Sequence, residues 1–340
     1  MTPAGAARHA RVAEVATHLP EDGMTSAQVE ARLAELNPGL VPPPGLIERL
    51  TGVRYRHLAP DDWMASDLAA AAVRKLLDSC GRDLADIDLL IFAATSADVI
   101  EPATAHIVAE KLGARCPVFD LSNACNSVVN AIEVADALIC AGHYDRILIA
   151  CGERVTLAAQ WRLSGLDELF TVGASHTVSD AGAALLLEAS DRPGVLAHRF
   201  TAESAAWPTT VVPVQRDRQT GVLTAGRFQV RSMELLAALD RADLTPLLDA
   251  VTGLGMTMAD FAVVCVHQAA LPYLAPFCER AGIPLDRTVV TIADHGNVAS
   301  ASLPLQLVTA VETGRLKRGD HALLIGLASG LSLGAMVLRW

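Results

Sequence analysis

The strongest constraint in this sequence is an order of strand and helix patterns that occurs twice. In the first half, the apolar run Ile87–Ala94 precedes a helical pattern and a second strand pattern, Val118–Leu121. In the second half, the run FAVVCV (261–266) precedes a helical pattern and the strand pattern TVVTI (288–292). Each copy continues with another helix and a closing apolar strand. The period is far longer than that of a solenoid, so we expect two similar α/β halves packed against each other.

The strand patterns also indicate how the sheets are covered. Their residues are apolar in succession rather than in alternation, which is typical of strands buried on both faces. Helices should therefore cover each sheet from two sides, as in a doubly wound sheet or a five-layered arrangement. The junction between the halves is expected near 191–194, which divides the chain into 1–190 and 191–340. Residues 1–7 are expected to form a loose terminus, and Val214–Gly226 a hairpin or loop.

Composition and charge exclude several classes of partner. Hydrophobic residues make up 51% of the chain and charged residues 19%, which is enough apolar material for a large core and excludes disorder. The formal net charge of −11 disfavours nucleic acid and anionic lipid surfaces. No apolar run reaches the roughly 18 residues that cross a bilayer, and the N-terminus lacks a signal-peptide core. We therefore expect a cytoplasmic protein with no membrane span and no nucleic-acid partner.

The seven cysteines are odd in number and include no Cys-x-x-Cys pair, so the sequence signals neither a disulfide framework nor a zinc ribbon. The ten histidines show no paired spacing with carboxylates, and we expect no metal site. Four cysteines lie inside apolar helix or strand patterns, where a thiol usually acts as a small buried hydrophobe: Cys140, Cys151, Cys265 and Cys278. A chemical role is expected only for a cysteine in a special setting.

Three polar residues stand where a strand pattern ends and a helix pattern begins, the place where functional groups collect in α/β proteins. Cys125 opens a helix after the strand VFDL, and the positive end of that helix should lower the pKa of its thiol and favour a thiolate nucleophile. His267 follows FAVVCV directly. Asn297 occupies roughly the position of Cys125 in the second copy, where its amide can donate a hydrogen bond.

Each of these residues alone has a more ordinary explanation. A buried cysteine is most often inert packing, a histidine at a strand end is most often a structural donor, and a Gly-Asn pair is most often a turn. Their joint placement in a duplicated fold favours a shared active site over these explanations.

The sequence around the three residues resembles the thiolase-superfamily condensing enzymes, and among them the β-ketoacyl-acyl-carrier-protein synthase III type. The likeness covers most of the chain. Five segments are similar to the family's nucleophile, histidine, asparagine and two framework motifs, in the expected order: DLSNAC (120–125), VHQA (266–269), HGNVASA (295–301), TGVR (51–54) and SDAGAA (179–184). The resemblance implies a duplicated thiolase-like α/β fold, a five-layered αβαβα sandwich. The half 1–190 would carry the nucleophile, and the half 191–340 the histidine and the asparagine.

The resemblance also implies the chemistry. Cys125 would attack an acyl thioester and hold the acyl group, while His267 and Asn297 stabilise the enolate oxygen of the second substrate. The backbone N–H groups of Cys125 and Ser329 would form the oxyanion hole. Ser329 stands where the family's closing loop has glycine, which restricts the backbone conformations available. The implied partners are acyl-CoA, an acyl or malonyl carrier protein, and a second copy of the chain in a homodimer; coenzyme A thioesters are substrates, and no cofactor is implied.

Glu101 bears on the subgroup. In the olefin-biosynthesis acyl-CoA condensing enzymes, a Glu-Pro at the matching place reaches into the active site of the other subunit, where it is the base for non-decarboxylative condensation. This sequence has Glu101-Pro102, slightly closer to Cys125 along the chain than in that subgroup. The plainer alternative for Glu101 is a solvated carboxylate near a helix start.

Two departures from the family pattern bear on the substrate. Synthase III enzymes that clamp coenzyme A commonly have a tryptophan and an arginine shortly before the TGVR-like motif, where this sequence has Leu46 and Leu50. After the histidine motif, Ala270 and Pro272 replace an asparagine and a basic residue that help to dock the acidic carrier protein. The sequence therefore lacks the usual adenine clamp and the usual docking residue.

Three hypotheses follow for the activity. The leading one is a homodimeric condensing enzyme that joins two acyl-CoA chains, with decarboxylative use of a malonyl donor close behind. The second passes the acyl group from Cys125 to an alcohol or amine. The third makes the chain a non-catalytic partner in a heterodimeric condensing enzyme, and the retention of Cys125, His267 and Asn297 argues against it.

Overall fold

The structure is a computed structural model that describes residues 8–340, so the predicted loose terminus 1–7 lies outside the described residues. The strands are β1 (His9–His18), β2 (Gly23–Thr25), β3 (Tyr55–His57), β4 (Leu89–Ala93), β5 (Val118–Leu121), β6 (Arg146–Glu153), β7 (Ala181–Ser190), β8 (Val195–Ala202), β9 (Thr210–Val211), β10 (Val214–Arg216), β11 (Leu223–Ala225), β12 (Gln229–Val230), β13 (Val263–Val266), β14 (His321–Ala328) and β15 (Ser332–Arg339). The helices are α1 (Ser26–Leu36), α2 (Leu46–Thr51), α3 (Ala65–Cys80), α4 (Thr104–Leu112), α5 (Ser127–Cys140), α6 (Leu166–Val172), α7 (Ser232–Arg241), α8 (Thr245–Thr252), α9 (Leu274–Ala281), α10 (Ile292–His295) and α11 (Ser302–Glu312).

Two large sheets repeat one pattern of strand directions, which confirms the predicted duplication. The first has the order β1-β7-β6-β4-β5, and the second has the order β13-β14-β15-β8. In the first sheet β4 is parallel to β6, β6 is antiparallel to β7, and β7 is antiparallel to β1. The series β13, β14, β15 and β8 runs through the same sequence of directions. The first sheet ends at Ser190 and β8 begins at Val195, while the division into 1–190 and 191–340 stays a prediction.

The second sheet lacks a counterpart of β5, so the predicted strand TVVTI is wrong. Thr288 makes one isolated bridge to Val264, and the chain then leaves the sheet. The side chain of Gln268 takes the next hydrogen bonds: its Nε2 donates to the Val289 carbonyl (2.7 Å), and its Oε1 accepts from the N–H groups of Thr291 and Ile292 (3.2 Å each). A buried amide thereby replaces the ladder that β-branched residues would otherwise favour.

Helices cover the two sheets in five layers. α3 and α4 pack on the outer face of the first sheet, α5 and α11 lie between the sheets, and α8 and α9 pack on the outer face of the second. Every residue of β4 is buried, as the continuous apolar pattern predicts. α3 lies directly on β6 and β7 because both strands have glycine there: a Cβ at Gly152 would lie 1.8 Å from the Ala65 carbonyl oxygen. The architecture is the five-layered αβαβα sandwich that the resemblance implies.

Local predictions outside the two sheets had mixed outcomes. β10 and β11 pair as the expected hairpin. Cys151, Cys265 and Cys278 are buried, but Cys140 is exposed, because the end of α5 turns it toward solvent beside Asp136 (Sγ to Oδ1, 3.5 Å). All seven cysteines are free thiols. Within residues 8–340, no helix is long and apolar enough to cross a membrane, and no cluster of His, Cys, Asp and Glu side chains could hold a metal ion.

Candidate active site

One apolar cavity of about 220 Å³ brings together the three predicted residues from the two halves of the chain. Cys125 comes from the first half, and His267 and Asn297 come from the second; all three line the cavity. Ser329, between β14 and β15, lines it as well. Most of the remaining wall is apolar and includes Val155, Phe228, Leu235, Leu239, Leu274 and Phe277. A cavity of this kind suits an alkyl or acyl chain with a reactive group at its polar end.

The turn that carries Cys125 is tightly held. It joins β5 to α5, and Ala124 in it has a φ of +47°, a left-handed conformation that is uncommon for a residue other than glycine. Ser127 closes the turn from within, since its Oγ donates to the Ala124 carbonyl (2.7 Å) and accepts from the Asn123 N–H (2.9 Å). Asn126 ties the turn to the second sheet by donating its Nδ2 to the Ser332 carbonyl (3.0 Å). The sulfur-bearing residue is thereby fixed just before α5.

The pKa of Cys125 differs from the prediction. Burial and, second to it, the negative charge of the nearby Glu153 carboxylate raise the pKa of the Cys125 thiol to about 12. Cys125 precedes the first residue of α5, and the field of the helix end does not offset the loss of hydration. The predicted lowering is therefore wrong, and Cys125 rests as a neutral thiol.

His267 lies at the end of β13, where its backbone N–H donates to the Ile325 carbonyl (2.9 Å). Burial lowers the pKa of its imidazole to about 4, so the ring is neutral at pH 7. Its Nδ1 is buried and has no hydrogen-bond partner in the described part of the chain. The next residue, Gln268, bonds to the segment 289–292 and so fixes the histidine relative to the asparagine loop. A neutral imidazole here can accept a proton at one nitrogen or donate a hydrogen bond from the other.

Asn297 is held by its backbone and by one side-chain bond. Its N–H donates to the Thr177 carbonyl (2.8 Å), and its carbonyl accepts from the Ser179 N–H (3.0 Å). Its Oδ1 accepts from the Ala299 N–H (3.0 Å), which leaves the Nδ2 amide as the remaining donor of a side chain that lines the cavity. Two of the framework motifs therefore support this loop, because Ser179 belongs to one, and Arg54 of the other donates to Asp294 (2.5 Å).

The counterpart of Cys125 in the second half is Ser300 rather than Asn297. Ala299 has a φ of +46°, like Ala124, and it precedes the start of α11 by the same distance as Ala124 precedes α5. Ser300 therefore takes the backbone position of Cys125. The predicted correspondence with Asn297 is therefore three residues off, because an alanine in the left-handed region gives no signal in the residue pattern.

Ser329 follows β14 and lines the same cavity as Cys125. In the described part of the chain, the non-glycine residues with positive φ are Ala124 and Ala299, and the positive φ in the closing loop belongs to Gly330. Ser329 therefore has backbone angles that suit any L-residue, so the replacement of the family's glycine is tolerated there. Its role in an oxyanion hole stays a prediction.

Glu101 lies away from the cavity that its own chain forms. Its side chain is exposed, as are those of Val99 and Ile100 beside it. The loop that carries Glu101 leads into α4, whose first N–H groups, from Thr104 and Ala105, both donate to the carboxylate of Asp120 (2.7 Å each). Because Asp120 belongs to β5, this contact keeps the loop near the open edge of the first sheet.

Glu153 was missed in the sequence although it follows the same rule as the other site residues. It is the last residue of β6, its side chain is fully buried, and its charge acts on the Cys125 thiol. The sequence signal was a carboxylate directly after the wholly apolar run ILIACG, a place where an acid needs a specific reason to be.

Comparisons with known proteins agree with this geometry. The family model of 3-oxoacyl-[acyl-carrier-protein (ACP)] synthase III matches residues 119–204, and the model of its C-terminal part matches residues 252–340. The β-ketoacyl-[acyl-carrier-protein] synthase III of Neisseria meningitidis serogroup C / serotype 2a is 31% identical over 299 residues, which cover 85% of this chain and 88% of the relative.

Two solved structures have the same fold. The synthase III (FabH) of Thermus thermophilus is 28% identical, with a TM-score of 0.83, and the match covers 97% of this chain and 99% of the other. OleA of Xanthomonas campestris, solved with its cysteine replaced by alanine, is 25% identical, with a TM-score of 0.86 over 100% of both chains. Another OleA structure holds lauric acid and lauroyl-CoA.

The fold and the residues around the cavity define a thiolase-like condensing enzyme of the acyltransferase class. The similarity to the Neisseria relative over most of both chains goes further: this chain belongs to the β-ketoacyl-[acyl-carrier-protein] synthase III family.

Proposed function

We propose that the protein condenses two thioesters, with Cys125 carrying the acyl group and His267 and Asn297 stabilising the enolate of the second substrate. The observation that carries the proposal is the meeting of these three side chains, from two halves of the chain, at one apolar cavity. A nucleophile, a neutral imidazole and an amide donor are the groups that a Claisen condensation needs.

In the first step, the sulfur of Cys125 attacks the carbonyl carbon of an acyl thioester. The bond from that carbon to the sulfur of the leaving thiol breaks, and the proton of Cys125 passes through the imidazole of His267 to the leaving group. Because thiol and imidazole are both neutral at rest, the proton moves only when the substrate is bound. The N–H groups of Cys125 and Ser329 would hold the carbonyl oxygen as it gains charge.

In the second step, the α-carbon of another thioester attacks the acyl group on Cys125. A carbon–carbon bond forms, and the bond from the acyl carbon to the sulfur of Cys125 breaks. The released thiolate takes up the proton that the α-carbon lost or, when carbon dioxide leaves instead, a proton from solvent. The enolate that attacks arises by loss of either a proton or carbon dioxide, and its oxygen accepts hydrogen bonds from His267 and Asn297. Burial of the imidazole and the amide excludes water, which strengthens both hydrogen bonds.

For the subtype we propose loss of a proton, with Glu101 of a second copy as the base. Glu101 is exposed beside the open edge of β5, where Phe119 and Ile100 are also exposed. A second copy that pairs along this edge would cover these apolar side chains and bring Glu101 close to another subunit. A homodimer is therefore part of the proposal.

The proposed acyl donor is an acyl-CoA whose alkyl chain enters the cavity along α7, where Leu235 and Leu239 line the wall. OleA, whose structure holds lauroyl-CoA, supports a coenzyme A thioester, and the names of the synthase III relatives support an acyl carrier protein. At the positions where the family has a clamp and a docking residue, this chain has neither an aromatic nor a basic side chain: Leu46, Leu50, Ala270 and Pro272. A cytoplasmic location stays a prediction.

The test is intact-protein mass spectrometry after incubation with acetyl-, malonyl-, medium-chain and long-chain acyl-CoA. The wild type should gain the mass of an acyl group, and C125A should gain none. C140A is the matched control, because it removes an exposed thiol outside the cavity and should keep the adduct. If C125A gained the same acyl mass as the wild type, the proposal would be overturned.

Replacing the amide separates the two steps. N297A should keep the adduct on Cys125 and lose β-ketoacyl product by about 10²- to 10³-fold, the usual loss when one donor to a developing oxyanion is removed. Ester or amide products in place of β-keto compounds would assign the enzyme to the acyl-transfer alternative.

A further inference from the structure

Glu153 is a buried carboxylate beside the nucleophile, and the steps proposed above do not use it. It ends β6, and none of its surface is exposed to solvent. An acid in such a place is stable only when hydrogen bonds replace its lost hydration. The donors of these hydrogen bonds show which segments Glu153 connects.

The carboxylate accepts four hydrogen bonds from neutral donors in two other segments. Its Oε1 accepts from the N–H groups of Thr95 (2.8 Å) and Ser300 (3.2 Å). Its Oε2 accepts from the N–H (3.1 Å) and the Oγ (3.0 Å) of Ser96. Burial raises the pKa of Glu153, and these bonds oppose the rise. Each oxygen accepts two donors, which is the pattern of an ionised carboxylate.

These contacts connect Glu153 to both functional turns. Thr95 lines the cavity. Ser300 follows the Asn297 loop, and its Oγ donates to the Ala124 carbonyl (2.7 Å), directly before Cys125. One carboxylate therefore joins the end of β4, the end of β6 and the start of the second-half helix, and through Ser300 it supports the turn of the nucleophile.

Glu153 also acts on Cys125 by charge. Burial raises the pKa of the Cys125 thiol, and the negative charge of Glu153 is the next cause. Cys151, on the same strand as Glu153, is a second buried thiol in this field, and His267 and Tyr273 are the other titratable residues that line the cavity. A carboxylate near a thiol disfavours the thiolate, because two negative charges in a poorly hydrated site repel each other.

We propose that Glu153 is a positioning residue for the condensation: it joins the turn of Cys125 to the turn that follows Asn297, and its charge disfavours the resting thiolate. The proposal rests on the proposed function, since it gives Glu153 a purpose only if Cys125 is the nucleophile. The resting enzyme would then react slowly with oxidants and alkylating agents, and the thiolate would form when an acyl thioester and His267 are in place.

The test is the pH dependence of Cys125 alkylation by iodoacetamide, read for that cysteine alone by peptide mass spectrometry. In the wild type the midpoint should lie above about 8.5, the value of a free cysteine. In E153Q the midpoint should fall by about one pH unit. At neutral pH alkylation should be about threefold faster, since the larger thiolate fraction is partly offset by lower nucleophilicity.

Two further variants separate charge from shape. E153D keeps the charge on a shorter side chain, so its midpoint should stay near that of the wild type while β-ketoacyl product falls. E188Q is the matched control, because Glu188 is a buried acid paired with Arg82 at the opposite end of the β6–β7 pair. Its midpoint should equal the wild-type value. A merely structural role for Glu153 would move activity without moving the midpoint.

The outcomes decide both claims separately. A wild-type midpoint at or below about 8.5, or equal midpoints in E153Q and wild type, would overturn the role of Glu153. If E153Q does not fold, a wild-type midpoint at or below about 8.5 still overturns that role. A shifted midpoint in a protein that forms no acyl adduct would support the link from Glu153 to Cys125 and overturn the proposed function.

Discussion

The turn before α5 and the turn before α11 have the same backbone but carry different side chains. Ala124 and Ala299 both have left-handed φ values, +47° and +46°, and each helix begins at the same distance beyond its alanine. At the next position Cys125 lines the cavity, whereas Ser300 is buried between Glu153 and the Ala124 carbonyl. The two turns contact each other through that serine.

The difference shows that the two equivalent turns of a duplicated fold can take different roles, one at the cavity and one in support of it. Both halves have a turn with the same left-handed alanine before its helix. Only in the first half does the residue after that alanine, Cys125, line the cavity. The other copy supports it, and the second half contributes chemistry from neighbouring positions, His267 after β13 and Asn297 before the turn. The strained alanines persist because the packing around both turns fixes them.

The largest effect should come from moving the nucleophile between the turns. In C125A/S300C a thiol takes the equivalent backbone position, but Ser300 is 1% exposed and lies outside the cavity wall. We expect no acyl adduct, a loss as complete as in C125A, because the thioester cannot reach a sulfur buried in the core. Intact mass after incubation with acyl-CoA checks this. An adduct that maps to position 300 would show that the two turns are interchangeable.

The sequence predicted the features that depend on local pattern. The apolar run around ILIACG forms β6, and the helical pattern after Cys125 forms α5. The expectation that polar residues at strand ends meet in one place holds for Cys125, His267 and Asn297, which all line the cavity. The sequence could not predict what distant side chains do. TVVTI has strong β propensity, yet the buried amide of Gln268 takes its backbone hydrogen bonds.

The protonation state of Cys125 also depends on distant side chains that the local sequence pattern does not show. Its place before a helix can be read from the sequence, and that place alone favours a thiolate. Its burial and the charge of Glu153 depend on how β6 packs behind the turn, and both act in the opposite direction. Tertiary desolvation outweighs the local dipole here.

A smaller effect should appear in the pH dependence of stability, where the two halves each bury one neutral histidine. Burial lowers the pKa of His176 in the first half and of His267 in the second to about 4. In the unfolded chain these two histidines bind protons near pH 6.5, and in the folded chain they do so only near pH 4. The free energy of unfolding therefore falls as the pH falls from about 6.5 toward 4, and it is fully retained above that range.

H267Q should remove one share of that dependence, about 1–2 kcal/mol between pH 7 and pH 5. Urea denaturation of wild type and variant at both pH values measures it. The difference between the two proteins isolates the histidine from carboxylates that also protonate in acid. An identical loss of stability in wild type and H267Q would mean that His267 binds a proton as readily in the folded protein as in the unfolded chain.

An effect of similar size concerns the two serines that open the helices, Ser127 in the first half and Ser302 in the second. Both are buried, but their hydroxyls differ. The Ser127 Oγ donates to the Ala124 carbonyl and accepts from the Asn123 N–H, while the Ser302 Oγ is buried without a hydrogen-bond partner among the described residues. S127A should therefore cost about 1–2 kcal/mol of unfolding free energy, since it also leaves the Asn123 N–H without its acceptor.

S302A is the matched variant, and its change should stay within about 0.5 kcal/mol, because it removes a hydroxyl that makes no bond. Urea denaturation at pH 7 compares the two directly. Equal losses of unfolding free energy in the two variants would mean that the hydrogen bonds of Ser127 add nothing to the stability of the first turn. A larger loss in S127A would show that the two copies differ in how firmly each turn is held, with the firmer turn carrying Cys125.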